Sequence, residues 1–208
     1  MMRLSSPKTK RTGAAGLFAL IAVVAGVGSQ QGITRFDSGS FRILDLTLGK
    51  SEVADLVRTL GPSPEVQATE PEETLRCYVS TGPDKTVLEV GDWFDTLVEF
   101  RLFSGRAATA GRCAPTNRVS ASLSTGNSLK LGMNRNEVLA LLGRPTKIQG
   151  QSYVYESAYD RPLTAEEERR AKSSYHTPPD AMQVYERIEL KFTGPRVTLV
   201  DIVRNETW

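Results

Sequence analysis

The chain has 208 residues, 39% apolar and 24% charged, which is enough apolar side chain for a globular core. Four of its 26 Lys and Arg residues lie in the first 29 positions. None of the 24 Asp and Glu residues does, so the remainder carries a formal charge of −2. Nucleic-acid-binding proteins carry clusters of Lys and Arg that bind phosphate groups. The charge of −2 and the lack of a basic run therefore argue against a nucleic-acid-binding protein.

Residues 1–29 have the three parts of a secretory signal peptide. A positively charged start precedes the apolar run GAAGLFALIAVVAGVG, which is followed by small residues. This run is shorter than the ~20 residues that span a membrane as a helix. We expect cleavage near Ser29 and a periplasmic or secreted protein. The alternative is an uncleaved segment that anchors the chain in the inner membrane.

Residues 30–40 are polar and rich in Gly and Ser, which predicts a flexible tether. The first folded unit is expected over residues 41–113. It begins with a short helix, because Val53, Leu56, Val57 and Leu60 have helical spacing. Ser51 is the predicted N-cap, and Gly61 followed by a proline ends the helix. Three strand-like segments follow, in which apolar and polar residues alternate.

Residues 114–128 are small and polar and are predicted to link this unit to a second one over residues 129–208. The second unit restarts the same order. Asn134 and Glu137 have the spacing of a capping box before a helix that ends at Gly143. Strand-like segments follow again. The parallels LTLGKS with LKLGMN and VEFRLFSGR with IELKFTGPR indicate an internal repeat.

The predicted fold class is therefore α+β, with two tandem repeats that each pack a short helical layer on a small antiparallel sheet. Residues 160–182 form an insertion in the second repeat. Within it, residues 164–175 are predicted to be helical, with i,i+4 pairs Glu166–Arg170 and Glu168–Lys172. This helix lacks an apolar face, so we interpret it as a solvated excursion. The alternative is an arm that contacts a partner.

The two cysteines, Cys77 and Cys113, are expected to form a disulfide in an oxidising compartment. Closing the loop between them would contribute about 4 kcal/mol in the chain-entropy model. Two separate buried thiols are the alternative. Two cysteines and one histidine without a CxxC motif do not supply four ligands, so no metal site is expected.

The second unit resembles the SmpA/OmlA-type outer-membrane assembly lipoprotein domain. The resemblance lies in LGMNRNEVLALLGRPT, the aromatic strand SYVYES and the hairpin IELKFTGPRVTLVDI. The tandem arrangement is similar to that of the secreted β-lactamase inhibitor proteins. These resemblances imply an α+β fold and a protein-binding role without catalysis. The chain has no cysteine at its leader, where that lipoprotein family is acylated.

No catalytic motif accompanies the candidate acid and base residues. His176 is the only histidine and lies in a predicted loop without a recognisable nucleophile. Asp92 and Asp95 are better explained by a turn between strands than by a pair of catalytic carboxylates. The sequence contains no glycine-rich phosphate loop, and neither an enzyme nor a cofactor is expected.

Tyrosine and arginine residues on the predicted strands are the candidate partner-binding residues, because these side chains are enriched in interface hot spots. We expect the open sheet face to bind a protein, in a role accessory to cell-envelope assembly. The alternative function is a tandem-repeat inhibitor of a secreted hydrolase. The candidates are Tyr78, Trp93, Arg101, Tyr153, Tyr155, Tyr185 and Arg187.

Overall fold

The fold consists mostly of strands, in a computed structural model that describes residues 36–67, 73–105, 112–174 and 179–208. The predicted signal peptide lies outside the described residues. The first half contains a helix and six strands: β1 (Arg42–Ile43), β2 (Leu46–Thr47), α1 (Val53–Leu60), β3 (Glu65–Gln67), β4 (Glu73–Ser80), β5 (Thr86–Trp93) and β6 (Thr96–Ser104). The remaining elements are β7 (Ala114–Thr116), α2 (Arg135–Leu142), β8 (Lys147–Gln149), β9 (Ser152–Pro162), α3 (Ala165–Ser174), β10 (Ala181–Thr193) and β11 (Arg196–Thr207).

Within the described residues, one sheet takes strands from both halves of the chain. Eight strands follow the order β3-β4-β5-β6-β11-β10-β9-β8, and β7 pairs with β4 off this path. We expected two small sheets, but the antiparallel pairing of β6 with β11 joins them into one. The pairing satisfies the backbone groups that β6 would otherwise expose at a sheet edge. The described residues form one compact unit.

Helices α1 and α2 lie on the same face of this sheet, which we call the first face. Leu56 and Leu60 of α1 belong to the main hydrophobic core together with Phe100 of β6, and so does Val138 of α2. Ile188 of β10 is in the same cluster and is fully buried. The core is therefore shared by both halves of the chain rather than divided between two domains.

The ends of the two helices follow the sequence signals closely. The predicted capping box is present in α2, where the Asn134 side chain accepts from the backbone N–H of Glu137 at 3.0 Å. In α1 the N-cap is Glu52, not Ser51. Ser51 is buried, and its hydroxyl accepts from the backbone N–H of Thr47 at 3.0 Å, in the turn that precedes the helix.

Two segments predicted to be a tether and a linker are ordered where the structure describes them. Residues Ser38–Phe41 form a 3-10 helix, and Ser40 and Phe41 are buried. In the predicted linker, Val119 and Leu123 are also buried. The segments contact each other, because the Asn127 amide donates to the Ser40 hydroxyl at 2.7 Å. Phe36 within the predicted tether packs against the core, and Val119 and Leu123 within the predicted linker belong to it.

The predicted insertion over 160–182 extends the β9–β10 hairpin and adds α3. The pairing of the two strands continues to Pro162 and Ala181. The expected ion pairs Glu166–Arg170 and Glu168–Lys172 are present at 3.2 and 3.5 Å. One side of α3 is attached to the protein, because Ala171 is fully buried and Glu167 pairs with Arg161 at 2.6 Å.

None of the described helices is both long and apolar enough to cross a bilayer.

A glycine ahead of each helix makes a similar backbone hydrogen bond in the two halves of the chain. Gly49 N–H donates to Leu97 O at 2.8 Å in the first half, and Gly132 N–H donates to Val197 O at 2.9 Å in the second. Both glycines have a positive φ, 74° and 79°. A side chain with a Cβ adopts this conformation only at a cost, so glycine suits both turns.

Candidate functional site

The sheet face opposite α1 and α2, which we call the second face, carries most of the charged strand residues. Side chains alternate between the faces of a strand, so residues beside the buried Phe100 and Ile188 point the other way. Cross-strand contacts confirm this for Arg101 of β6 and Arg187 of β10, which both approach Asp201 of β11. The second face is defined here by Trp93, Glu99, Arg101, Tyr185, Arg187 and Asp201.

Four of the seven predicted partner-binding residues share the second face. They are Trp93, Arg101, Tyr185 and Arg187. Tyr185 is 40% exposed, while the Arg101 and Arg187 side chains are 33% and 29% exposed. The structure thus brings together residues that are far apart in sequence, and it leaves each partly accessible.

Tyr78 and Tyr155 are not available to a partner, which corrects the prediction for both. Tyr78 is fully buried and Tyr155 is 3% exposed, both in the main core on the first face. The Tyr78 hydroxyl donates to Gly61 O at 2.9 Å, and the Tyr155 hydroxyl donates to Gly143 O at 3.2 Å. Burial raises the pKa of Tyr78, and it raises that of Tyr155 to about 12.

Tyr153 also lies on the first face, where it is half-buried. Its ring packs edge-on against Phe192, with the ring centroids 4.9 Å apart. The Arg135 guanidinium lies over the Phe192 ring at 4.4 Å and near the Tyr153 ring at 5.9 Å. These contacts attach Tyr153 to the start of α2 and separate it from the residues of the second face.

Charged side chains form a continuous ladder across the middle of the second face. Arg101 contacts Glu99 at 2.6 Å, Glu89 at 3.5 Å and Asp201 at 3.8 Å. On the far side of Asp201, Arg187 pairs with Glu189 and approaches Asp201 at 3.7 Å. Two guanidinium groups therefore lie among four carboxyl groups on four adjacent strands.

Glu99 and Asp201 lie at the centre of this ladder, and each residue is only 8% exposed. Burial, followed by the nearby charge of Asp201, raises the pKa of Glu99 to about 8. The Oδ1 atom of Asp201 is buried without a hydrogen-bond partner. A carboxylate oxygen buried in this way is costly unless a proton or a cation reaches it.

Exposed aromatic side chains flank the ladder. The Tyr185 hydroxyl donates to Glu156 at 3.4 Å. At the turn between β5 and β6, Phe94 is 73% exposed and stacks on Trp93, with ring centroids 5.6 Å apart. Phe94 and Asp95 both have a positive φ, at 48° and 66°, which is unusual for residues other than Gly and Asn.

The predicted disulfide between Cys77 and Cys113 is present. Cys77 is 1% exposed and packs with Val87 in a second, smaller hydrophobic cluster, next to the half-buried Val79 and Phe103. This cluster lies on the second face, beside the charged ladder. The disulfide thus attaches the start of β7 to the sheet close to the candidate site.

The structure does not bring together the acid and base residues that the sequence offered for catalysis, as far as it describes them. His176 lies outside the described residues. Asp92 is 5% exposed and ion-pairs with Arg76, whereas Asp95 occupies the exposed turn. Among the described residues, no group of three or more His, Cys, Asp or Glu residues is placed to hold a metal ion.

The sequence interpretation missed Phe94, Glu99 and Asp201. Glu99 precedes the apolar Phe100 in a segment of alternating polar and apolar residues, but its burial depends on neighbouring strands. Asp201 stands between apolar residues in the segment TLVDIV. A lone carboxylate in such a strand is the one local signal that could have pointed to it.

Comparison with known proteins gives little on which to base a function. Neither the models of known protein families nor the curated proteins contain a match. Among solved structures, the chain is similar to a candidate β-lactamase inhibitor protein from Streptococcus mutans at 11% identity. The match covers 76% of this chain and 82% of that one, with a TM-score of 0.24.

Proposed function

We propose that this chain is an exported, non-catalytic protein-binding module that binds its partner on the second face of the sheet. The observation that carries the proposal is the combination of exposed aromatic rings with partly accessible guanidinium groups on one face. Tyr185 and Phe94 are 40% and 73% exposed, and Arg101 and Arg187 lie between them. Tyr and Arg side chains provide a large share of the binding energy in protein interfaces.

We further propose that the two halves are tandem repeats, α1 with β3–β6 and α2 with β8–β11. The matched hydrogen bonds support this. In each half a tyrosine of the first long strand donates to the carbonyl group of the glycine that ends the helix. In each half a glycine before the helix donates to the start of the last strand. On this interpretation α3 is an addition to the second repeat.

Export is the third part of the proposal. The apolar N-terminal segment has the pattern of a cleaved leader. A disulfide supports an oxidising compartment, because cytosolic thiols are kept reduced. An exported protein-binding module resembling the SmpA/OmlA-type domain fits a role accessory to cell-envelope assembly.

The proposal is tested by a crosslinking pull-down from envelope and culture-fluid fractions, with the chain as bait. Tyr185→Ala should strongly reduce the recovery of a specific partner. Val57→Ala is the matched control, because Val57 is 39% exposed but lies on α1. Equal recovery with both variants would exclude the second face. A captured hydrolase that loses activity on binding would support the inhibitor function instead of envelope assembly.

A further inference from the structure

We propose that Glu99 and Asp201 form the receiving site for a basic side chain, Lys or Arg, of the protein partner. This inference rests on the proposed function, because it specifies what the second face binds. Glu99 and Asp201 are not among the exposed aromatic and arginine residues on which the proposed function rests. The site lies between β6 and β11, at the seam where the two halves of the chain meet.

The geometry around Asp201 is the first support. Its Oδ1 atom is buried, and no basic side chain donates to it; the neighbouring Glu99 carboxyl group can donate to Asp201 only while it holds a proton. Oδ2 is approached by Arg101 at 3.8 Å and Arg187 at 3.7 Å, and both distances exceed hydrogen-bond length. Both arginines have closer carboxyl partners, Glu99 for Arg101 and Glu189 for Arg187. The described cations therefore leave Asp201 incompletely neutralised.

The surrounding charges are the second support. Glu99 and Asp201 are faced by carboxyl groups from the two neighbouring strands, Glu89 on β5 and Glu189 on β10, and Glu73 on β4 lies one strand further out. The nearby cations among the described residues are Arg101 on β6 and Arg187 on β10. A site with this charge favours a cation over an anion or an apolar group.

A proton occupies the pair when no partner is bound. The carboxyl group of Glu99 holds it at neutral pH, because burial and Asp201 raise its pKa to about 8. A bound ammonium or guanidinium group would replace that proton between the two carboxylates. One cation enters and one proton leaves, so binding should strengthen as the pH rises to 8. Since only the ionised fraction is competent, affinity should increase about 50-fold from pH 6 to pH 8.

NMR titration of the full chain with a neutral and a charged isostere tests this inference. The probes are N-acetylarginine methylamide and N-acetylcitrulline methylamide, which differ in charge but closely match in shape. We expect the arginine probe, at millimolar concentrations, to shift the side-chain carboxyl signals of Glu99 and Asp201 and to lower the midpoint of the Glu99 titration. The citrulline probe should do neither.

Three outcomes would overturn the inference. They are equal responses to both probes, no response at these two carboxyl groups, and a stronger response to calcium or magnesium chloride. Asp201→Asn should weaken the arginine response at least tenfold, whereas Glu156→Gln, on the same face, should retain it. If a partner is captured through Tyr185 but the probes fail, the proposed function stands and only this inference is lost.

Discussion

The Tyr155 hydroxyl and the Gly143 carbonyl group are joined by a 3.2 Å hydrogen bond that connects β9 to the end of α2. Tyr78 makes the equivalent 2.9 Å bond to Gly61 at the end of α1. The last carbonyl groups of a helix have no partner within the helix, and here a buried tyrosine provides a donor. Each bond thus fixes a helix end to the sheet that it covers.

The first prediction concerns these bonds. Tyr78→Phe and Tyr155→Phe should each lower the free energy of unfolding by about 1 kcal/mol, because each removes the hydrogen bond of a buried tyrosine to a helix end while the ring remains. Urea unfolding measures this difference. Tyr185→Phe is the control and should change stability by less than about 0.5 kcal/mol, because Tyr185 is exposed and its bond is long. Equal effects at all three positions would contradict the assignment.

The second prediction concerns Glu99, whose pKa is raised from 4.5 to about 8 in the folded protein. The folded state then binds more protons than the unfolded state between these pH values. Stability should therefore fall as the pH rises from about 4.5 to 8, on the order of 1 kcal/mol per pH unit. Glu99→Gln should flatten this decline, because the amide can donate to Asp201 without ionising.

Urea unfolding of the wild type and of Glu99→Gln from pH 5 to pH 9 gives the measurement. Glu156→Gln is a suitable control, since Glu156 is on the same face but is not among the most buried carboxyl groups. It should leave the slope unchanged. If Glu99→Gln and the wild type lose stability in parallel, Glu99 does not hold the proton.

The third prediction concerns the disulfide. Replacing both Cys77 and Cys113 with Ala should lower the free energy of unfolding by about 4 kcal/mol, because the unfolded chain regains the freedom of the open loop. Reduction of the wild type should give a similar loss. Thiol labelling of unfolded, unreduced protein checks the bond directly. Reactive cysteines before reduction would contradict it.

The fourth prediction concerns Glu167, whose pKa is lowered to about 2 by hydrogen bonds from Arg161. A depressed carboxyl pKa stabilises the folded state above the ordinary value of 4.5, and this contribution disappears as the pH falls towards 2. Glu167→Gln should therefore destabilise the protein by about 2 kcal/mol at pH 7 and by little near pH 2. Thermal unfolding across this range measures the difference.

Glu168→Gln is the matched control for that experiment, because Glu168 is on the same helix and, among the described residues, forms its ion pair with the exposed Lys172. An exposed pair of this kind contributes little. A loss at pH 7 as large as that of Glu167→Gln would show that the helix, rather than the Arg161 contact, determines the result.

Local elements were predictable from the sequence because local chemistry determines them. The Asn134–Glu137 capping box and the glycines that end both helices depend on neighbouring residues alone. In β10, Val184, Ile188, Leu190 and Phe192 alternate with polar residues, and this alternation alone indicates which side of the strand is buried. The pairing of β6 with β11 was not predictable, because it joins distant segments and no local signal specifies that register.

The candidate site was only partly predictable because both sides of some strands are apolar. In β4, the apolar Cys77 and Val79 alternate with Arg76 and Tyr78, and Tyr78 is one of the predicted partner-binding residues. The structure buries Tyr78 in the main core and places Cys77 and Val79 in the smaller cluster on the second face. Alternation identifies which residues share a side, but not which side the helices cover. Arg101 and Arg187 were easier, because charged side chains are rarely fully buried.

The continuous β6–β11 ladder has a mechanical consequence. Backbone hydrogen bonds, rather than a hinge, set the distance and angle between the Phe94 turn on one side of the seam and Tyr185 on the other. The second face therefore holds the Phe94 turn and Tyr185 at a fixed separation, and a partner must match that separation. Lengthening a loop within either half would leave that separation unchanged, whereas a one-residue slip between β6 and β11 would alter it.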